Sequence, residues 1–217
     1  PLLREYPGRL STMALSPEAR EARRRNVIDA AHALIRETGG TGFSMAQLAQ
    51  RAGVSPATPY NLLGSKAEVL RRVVDDEYAS FAARLAQLPP LAPLPRLLRA
   101  IDLVAVHYLA EPQFYRGLYG AMVGVEGNPL RETMHDQGQL LWSGMVQAGQ
   151  DAGALAPLLG ADELTELLLR MMAATVEAWL AEQWNDARFT RELARSVRLL
   201  LLGLVGAEDA AELKRGI

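Results

Sequence analysis

Apolar residues along this chain recur at spacings of three and four positions, and no long stretch alternates between apolar and polar residues with a period of two. Spacings of three and four are typical of amphipathic helices, whereas alternation is typical of half-buried strands. The first such stripe consists of Val27, Ile28, Ala31, Leu34 and Ile35. We therefore predict an all-α protein whose first helix opens at Ser16 and Pro17 and ends at the glycines that follow Thr38.

Serines mark the starts of three further helices, because a serine side chain can accept a hydrogen bond from a free N–H of the first turn. These serines are Ser44, Ser55 and Ser65. Gln47 and Glu68 lie three residues after the first and the last of them, which predicts a capping box at both helices. Gly53 ends the first of these helices, and Pro56 directly follows the serine of the second, where a helix tolerates proline.

Prolines divide the rest of the chain. The proline-rich stretch 88–95 is the clearest linker, and it ends the helix that begins at Ser65. Further helices are predicted to begin near Pro95, Pro112, Pro129, Asp162 and Phe189. The last of them is apolar over more than one stripe, which indicates burial on more than one side.

Residues 44–63 carry the strongest functional pattern. They predict two short helices joined by a tight turn at Gly53, and Ala49 and Val54 allow the two helices to pack closely. This is the geometry of a helix-turn-helix, whose second helix lies in the major groove of DNA.

The same region resembles the tetracycline-repressor (TetR) family of bacterial transcription regulators. The resemblance runs from about Arg24 to Leu70, and the order and spacing of its pieces are more specific than any one piece. The pieces are residues 26–31, 37–39, 44–49, 52–55, 58–60 and 65–66. The resemblance implies an N-terminal three-helix DNA-binding domain, at residues 16–66 after a tail of residues 1–15. It also implies a larger helical ligand-binding and dimerisation domain at residues 67–217.

The resemblance implies DNA contacts for ten residues. They are Arg24, Arg25, Ser44, Ser55, Pro56, Ala57, Thr58, Tyr60, Asn61 and Lys66. Ser44 and Lys66 would bind phosphates, while the small residues at 56 and 57 would let the helix approach the bases closely. Asn61 would read a base edge or bind a phosphate.

The second helix of the predicted helix-turn-helix departs from the family pattern in two ways. Many members carry an aromatic pair followed by histidine and phenylalanine where residues 60–63 read Tyr-Asn-Leu-Leu, so a common phosphate contact at position 62 is absent. Asn61 becomes more important as a result. Pro59 falls inside the same helix, where it removes an N–H near the first turn and can set the entry angle.

Charge is divided unevenly along the chain. Residues 1–74 hold 11 Lys and Arg against 6 Asp and Glu, a net charge of +5, whereas residues 75–217 hold 12 against 19, a net charge of −7. A basic N-terminal third favours a polyanionic partner such as double-stranded DNA, although a solvated helix face would carry the same charges.

The middle helices are rich in aromatic residues and methionine, which suit an apolar, adaptable cavity with a few polar anchors. The predicted lining is His107, Tyr108, Phe114, Tyr115, Tyr119, Met122, Met134, Trp142 and Met145. Ordinary core packing is the alternative for each of them. The resemblance implies a small-molecule effector here, and this lining favours a hydrophobic one.

The last two long helices are the best predicted surface for a homodimer, because two helices from each chain would form a four-helix bundle. The predicted interface is Leu164, Leu168, Met171, Thr175, Trp179, Val197, Leu200, Leu201 and Leu204. The alternative is that these stripes are buried within one chain.

Several classes of protein are disfavoured. The chain has no cysteine, so neither a disulfide scaffold nor a thiolate metal site is expected. No two of the three histidines share a metal-ligand spacing, and there is neither a nucleophile elbow nor a phosphate loop, so we expect no catalytic residue, metal or cofactor. The first residues do not resemble a signal peptide, and the longest apolar run near the end, residues 199–205, is shorter than the ~18 residues of a membrane span. We expect a cytoplasmic protein.

These observations together predict a ligand-responsive, sequence-specific transcription regulator that binds a palindromic operator as a homodimer. The favoured mechanism is repression that is relieved when a small apolar molecule binds the C-terminal domain. Activation, and an interaction protein that has lost DNA binding, remain as alternatives.

Overall fold

The computed structural model describes residues 16–122, 128–182 and 184–217, and the predicted tail of residues 1–15 lies outside them. These ranges contain ten helices and no strand, which confirms the all-α class. The helices are α1 (Pro17–Thr38), α2 (Met45–Arg51), α3 (Thr58–Leu63), α4 (Lys66–Ala86), α5 (Pro93–Ala110), α6 (Pro112–Gly120), α7 (Pro129–Asp151), α8 (Ala161–Ala181), α9 (Asp186–Leu201) and α10 (Ala207–Arg215).

Helix α1 begins and ends where the sequence predicts. The Ser16 side chain accepts a hydrogen bond from the backbone N–H of Ala19 at 3.2 Å. At the other end, Gly39 adopts φ +63°, and its N–H donates to the carbonyl of Ile35. Glycine alone takes this left-handed conformation without steric cost, so the glycine fixes the end of the helix.

Helices α2 and α3 form the predicted pair. Both halves of the capping box at Ser44 are present: the Gln47 N–H donates to the Ser44 hydroxyl at 3.1 Å, and the Ser44 N–H donates to the Gln47 side chain at 2.7 Å. The predicted start of α3 at Ser55 is wrong, because residues 55–58 form a turn closed by the Thr58 N–H and the Ser55 carbonyl. Pro59 consequently lies in the first turn of α3, where its missing N–H costs little.

Helix α4 connects the two parts of the molecule. It packs against α1 and α3 and also against α5 and α7. Only half of its predicted capping box forms: Ser65 accepts from the Glu68 N–H, but the Glu68 carboxylate binds Arg71 and Arg72 instead of returning to the serine. Helix α4 begins at Lys66, the last residue of the predicted N-terminal domain.

Two later starts differ from the prediction. Helix α5 begins at Pro93 instead of Pro95, and α9 begins at Asp186 instead of about Phe189, because the Asn185 side chain caps it through the Arg188 N–H. The prediction ended with α9 and missed α10, which buries Leu213. None of the helices in the described ranges is long and apolar enough to cross a membrane.

Helix α6 rests on the loop that ends α1. A Cβ added at Gly117 would lie 2.7 Å from the backbone of Gly39 and Gly40, a separation that real Cβ atoms essentially never show. Only glycine at position 117 permits the two backbones to approach this closely. The contact fixes the position of α6 relative to the end of α1.

Candidate nucleic-acid interface and internal cavity

The ten predicted DNA-contacting residues are all accessible. Three are half-buried, namely Arg24, Thr58 and Lys66. The other seven are exposed, namely Arg25, Ser44, Ser55, Pro56, Ala57, Tyr60 and Asn61. Most of them lie on α2, α3 or the turn between these helices, and we call this surface the α2–α3 head.

Helix α3 presents polar groups outward from a buried base. Pro59 and Leu63 are buried, whereas Tyr60 is 55% exposed and Asn61 is exposed beside it. The hydroxyls of Ser55 and Thr58 lie 2.8 Å apart and bind one another, which fixes the turn before the helix. Tyr60 and Asn61 are therefore the longest side chains that α3 presents to solvent as hydrogen-bonding groups.

The basic residues at this end already have partners. Arg24 pairs with Glu21 of the same helix, α1, at 3.0 Å. Arg25, also on α1, pairs with Asp76 of α4 at 2.7 Å. The Lys66 ammonium lies 4.9 Å from the centre of the Phe43 ring, and partial burial lowers the pKa of this lysine. Their positive charges lie beside the α2–α3 head.

The hydroxyl of Ser44 combines a structural role with a free donor. It accepts from the backbone of Gln47, which uses a lone pair of the oxygen and not its proton. The hydroxyl proton at the start of α2 can therefore still be donated to a phosphate oxygen.

A cavity of about 270 Å³ lies in the larger part of the molecule, between α4, α5, α6, α7 and α8. Seven of the nine predicted residues line it: His107, Tyr108, Tyr115, Tyr119, Met122, Met134 and Trp142. The other two do not. Phe114 is turned towards α1, where its ring stacks on His32 at 5.5 Å between centroids, and Met145 packs against the apolar core.

The prediction missed fourteen lining residues. Those from α4 to α6 are Val74, Glu77, Tyr78, Phe81, Val104 and Leu118. Those from α7 and α8 are Arg131, His135, Leu169, Arg170, Met172, Ala173, Val176 and Glu177. The positions that the sequence analysis named on α8 belong to the predicted dimer interface and none of them lines the cavity, because periodicity does not distinguish a cavity wall from packed core.

The inner end of the cavity holds a polar cluster. The Tyr115 hydroxyl donates to the Glu77 carboxylate and lies 2.7 Å from Nε2 of His107. The hydroxyls of Tyr108 and Tyr119 lie 2.8 Å apart. Burial lowers the pKa of His107 to about 4, so the imidazole is neutral near pH 7, and burial raises the pKa of all three tyrosines.

The other end of the cavity carries charged side chains that reach solvent. Arg131 of α7 pairs with Glu177 of α8 at 3.5 Å. Arg170 and His135 both approach Glu166, at 2.6 Å and 3.2 Å. Arg131, His135, Arg170 and Glu177 are exposed, so α7 and α8 place ion pairs at this side of an otherwise apolar lining.

The Glu77 carboxylate lies between the cavity and helix α1. One of its oxygens accepts from Tyr115 in the cavity, and the other lies 3.5 Å from Nδ1 of His32, which is buried in α1. On the far side of His32, Nε2 lies 3.6 Å from Asp76, the carboxylate that pairs with Arg25. A chain of polar groups therefore leads from the cavity to an arginine beside the α2–α3 head.

The predicted dimer interface is largely internal to one chain. Seven of its nine residues are buried in the protomer, namely Leu164, Leu168, Thr175, Trp179, Val197, Leu201 and Leu204. The Trp179 ring, for example, stacks on Phe189 at 4.6 Å. These side chains join α8 to its neighbours, so the prediction is corrected for them; Met171 and Leu200 remain half-exposed. The large exposed apolar residues of the same two helices are Leu167 (39%) and Leu199 (52%).

Metal binding has no visible site in the described part of the chain, where no three His, Asp or Glu side chains are grouped as metal ligands. The polar cluster of the cavity consists of a neutral histidine, three tyrosines and one carboxylate. Such a cluster is suited to hydrogen-bonding a small molecule.

Comparison with known proteins finds a family match over the part of the chain that contains the α2–α3 head. Residues 27–73 match the family model of the bacterial regulatory proteins of the tetR family. The chain is also 24% identical over 194 residues to the HTH-type transcriptional repressor KstR of Mycolicibacterium smegmatis, an alignment that covers 88% of this chain and 93% of that protein.

Solved structures share most of the fold. RolR in complex with resorcinol superposes with a TM-score of 0.72 at 18% identity, covering 90% of this chain and 94% of RolR. The TetR-family repressor FadR of Thermus thermophilus, in complex with lauroyl-CoA, superposes with a TM-score of 0.66 at 20% identity, covering 84% and 95%. Both likenesses extend over the head and the larger helical part.

Proposed function

We propose that this chain, a tetR-family regulator by its N-terminal domain, is a repressor that binds a palindromic DNA operator as a homodimer and leaves it when a small, largely apolar molecule enters the cavity. One observation carries the proposal: a single helix, α4, lines the cavity and also packs against α1 and against α3 of the α2–α3 head. A change of shape at the cavity therefore has a direct mechanical route to the DNA-binding surface.

The DNA-binding step follows from the exposed groups of the head. Helix α3 lies in the major groove with Tyr60 and Asn61 foremost, and Asn61 accepts and donates to a base edge, adenine being its usual partner. The hydroxyl of Ser44 and the ammonium of Lys66 bind phosphates on either side, and Arg25 adds a flanking backbone contact.

The dimer uses the exposed faces of α8 and α9. Leu167 and Leu199 are large apolar side chains on these faces, and the half-exposed Met171 and Leu200 lie on the same two helices. Two such helix pairs, one from each chain, bury these residues in a four-helix bundle. The bundle holds the two α3 helices about 34–36 Å apart, which is one turn of DNA.

Release by an effector is an allosteric coupling between the cavity and the head. The ligand stabilises a position of α4 that changes the separation of the two α3 helices, and operator affinity falls. Because such coupling is reciprocal, operator DNA weakens ligand binding by the same factor. The small molecules bound in the structures of RolR and FadR, and the description of KstR as a repressor, support small-molecule control and repression in a protein of this fold.

The first experiment selects DNA from a random double-stranded pool with purified protein and sequences the retained fraction. We expect a palindromic consensus. Asn61→Ala should change the preferred base at one position of each half-site, whereas Gln87→Ala, an exposed amide at the far end of α4, should leave the consensus unchanged. Retention without a consensus, or an unchanged consensus in Asn61→Ala, would contradict base reading by α3.

Dimerisation is tested with charge substitutions at three exposed leucines. Leu167→Glu and Leu199→Glu should shift the sedimentation coefficient from dimer to monomer. Leu140→Glu is the matched control, because Leu140 on α7 is 78% exposed but lies outside the proposed bundle. A dimer that survives both α8 and α9 substitutions, or dissociates with the control, would assign the interface elsewhere. A promoter with the selected site in a reporter then shows whether the bound protein lowers transcription.

A further inference from the structure

We infer that the molecule bound in the cavity is an amphipathic acid, whose apolar body fills the interior and whose carboxylate is held at the solvent side by Arg131 and Arg170. The inference rests on the proposed function, since it names the chemical class of the effector. It is carried by the exposed donors of the two arginines, by the apolar interior, and by the position of the Glu77 carboxylate.

Arg170 of α8 presents most of its guanidinium to solvent at the cavity. Its Nε donates to Glu166 at 2.6 Å, while its two terminal nitrogens make no hydrogen bond with the described residues. The side chain is 71% exposed and lines the cavity. Glu166 does not belong to the lining, and its other oxygen lies 3.2 Å from Nε2 of His135. Glu166 therefore orients the guanidinium through Nε, and the edge with both terminal nitrogens can bind a carboxylate in the bidentate manner.

Arg131 of α7 is paired only weakly. One terminal nitrogen lies 3.5 Å from the Glu177 carboxylate of α8, and both side chains are about half exposed. An exposed ion pair of this length contributes little to stability. A guanidinium has five N–H donors, so each arginine can bind a ligand without losing its present partner. The solvent side of the lining thus carries two guanidinium groups and one carboxylate, Glu177.

The inner end of the cavity is unfavourable for an acid group. Its hydroxyls bind other groups of the protein, Tyr108 with Tyr119 and Tyr115 with the Glu77 carboxylate. A ligand carboxylate placed beside Glu77 would meet a like charge. Because the two arginines lie at the other, solvent side, the charges of the lining orient an acid with its carboxylate outward and its apolar body inward.

The size and chemistry of the interior describe that body. The volume of about 270 Å³ exceeds that of a dry cavity of about 150 Å³ that binds benzene. Phe81, Trp142 and Met172 line it with apolar surface, and methionine adapts its shape to the group it contacts. The interior therefore suits a substituted ring or an alkyl chain of medium length.

The test compares head groups on two apolar bodies, a butyl-substituted benzene ring and a linear alkyl chain. The probes are 4-butylbenzoate and decanoate, each with its primary amide and the corresponding primary amine. Calorimetry on the full chain near neutral pH measures binding, where the acids are ionised and the amines protonated. For at least one body, we expect the carboxylate to bind about fivefold or more tightly than both the amide and the amine. A smaller advantage, or no binding of either carboxylate, would overturn the inference.

Substitution of the arginines locates the head group. Arg131→Gln and Arg170→Gln should each weaken carboxylate binding by about fivefold or more, and should change amide binding by less than about twofold. Arg99→Gln is the matched control, because it removes the same charge from an exposed arginine of α5 that does not line the cavity. Wild-type affinity in both cavity variants, or an equal loss in the control, would contradict carboxylate binding by these arginines.

A further measurement uses the wild-type protein and so does not depend on how a variant folds. The affinity for the carboxylate should fall as sodium chloride is raised, because salt screens an ion pair at the solvent side, whereas the affinity for the amide should not fall. The same salt response for both probes would place the carboxylate away from the arginines and overturn the inference.

The outcome is separable from that of the proposed function. If the carboxylate binds as expected but leaves operator affinity unchanged, the acid site stands and effector-driven release is contradicted. If the amide binds as tightly as the carboxylate and releases the operator equally well, release stands and the acid site is contradicted.

Discussion

The Glu77 carboxylate on α4 lies 3.5 Å from Nδ1 of His32 on α1, while its other oxygen accepts the hydroxyl proton of Tyr115. One side chain therefore touches the cavity and the interior of the DNA-binding domain. A ligand that disturbs Tyr115 changes the hydrogen bonding of Glu77, and His32 is the next group to respond.

We predict that Glu77 and His32 are energetically coupled. In a double-mutant cycle of Glu77→Gln and His32→Phe, the free energies of unfolding should deviate from additivity by about 0.5–3 kcal/mol, the range for residues in contact. Urea titrations of the four proteins give the value. The matched cycle of Glu166→Gln with His32→Phe should be additive within about 0.5 kcal/mol, and additivity in the first cycle as well would rule out the link.

The ion pair of Arg25 with Asp76 should hold back DNA binding. Asp76→Asn leaves the guanidinium unpaired and removes a negative charge beside the head, so operator affinity at low salt should rise severalfold. The free energy of unfolding should change by less than about 1 kcal/mol, since Arg25 is more than half exposed and Asp76 is only half-buried. Fluorescence anisotropy measures the affinity, with Asp151→Asn, on α7, as control. An unchanged or lower affinity of Asp76→Asn would show that Arg25 does not reach the DNA.

Lys66 should contribute one phosphate contact. Lys66→Ala should weaken binding to all DNA sequences, and the slope of log K against log salt should become less negative by about one unit. The control is Lys214→Ala on α10, which removes the same charge from the chain's other lysine. Equal slopes for the two variants would remove Lys66 from the contacts.

Gly117 should tolerate no side chain. Gly117→Ala forces a Cβ against the backbone of Gly39 and Gly40, so it should lower the free energy of unfolding by about 1–3 kcal/mol, the usual cost of overpacking. Gly120→Ala, in the same helix and with open space around its Cβ, should change stability by no more than about 1 kcal/mol. Thermal and urea unfolding compare the two; equal effects would contradict the close approach.

His107 should make stability depend on pH in a defined window. Its pKa is lowered to about 4 in the folded protein by burial, against an ordinary value near 6.5. The unfolded chain therefore binds the proton first, and stability falls as the pH drops from about 6.5 towards 4. Between pH 7.5 and 5 the wild type should lose about 2 kcal/mol more than His107→Phe. Parallel curves for the two proteins would show that the imidazole titrates normally.

Local signals in the sequence predicted most helix ends of the N-terminal part well. Caps at Ser16, Ser44 and Ser65 depend on residues within one turn, and so does the end of α1 at Gly39. The start of α3 was predicted wrongly because the Ser55 hydroxyl binds Thr58 instead of capping a helix. That choice between two local hydrogen bonds is not encoded in residue spacing.

The cavity was predictable only in part, because it depends on long-range packing. Phe114 and Tyr115 are aromatic residues adjacent in the sequence, yet the Phe114 ring stacks on His32 and Tyr115 lines the cavity. The link through Glu77 joins residues 45 and 38 positions apart, and nothing in the sequence near Glu77 distinguishes it from the acidic residues beside it. The buried stripes of α8 and α9 were visible, but periodicity does not tell whether a partner helix belongs to the same chain.

The close packing of Gly117 in α6 against the loop after α1 matters for the design of hybrid regulators. An N-terminal domain from another regulator, joined at residue 66, would place its own loop opposite Gly117. The hybrid would pack correctly only if the backbone of that loop followed the same path as Gly39 and Gly40. Heads with a longer or differently shaped loop would be displaced even if every cavity residue were kept. Exchange of specificity in this scaffold is therefore best attempted by replacing side chains of α3, with the loop left intact.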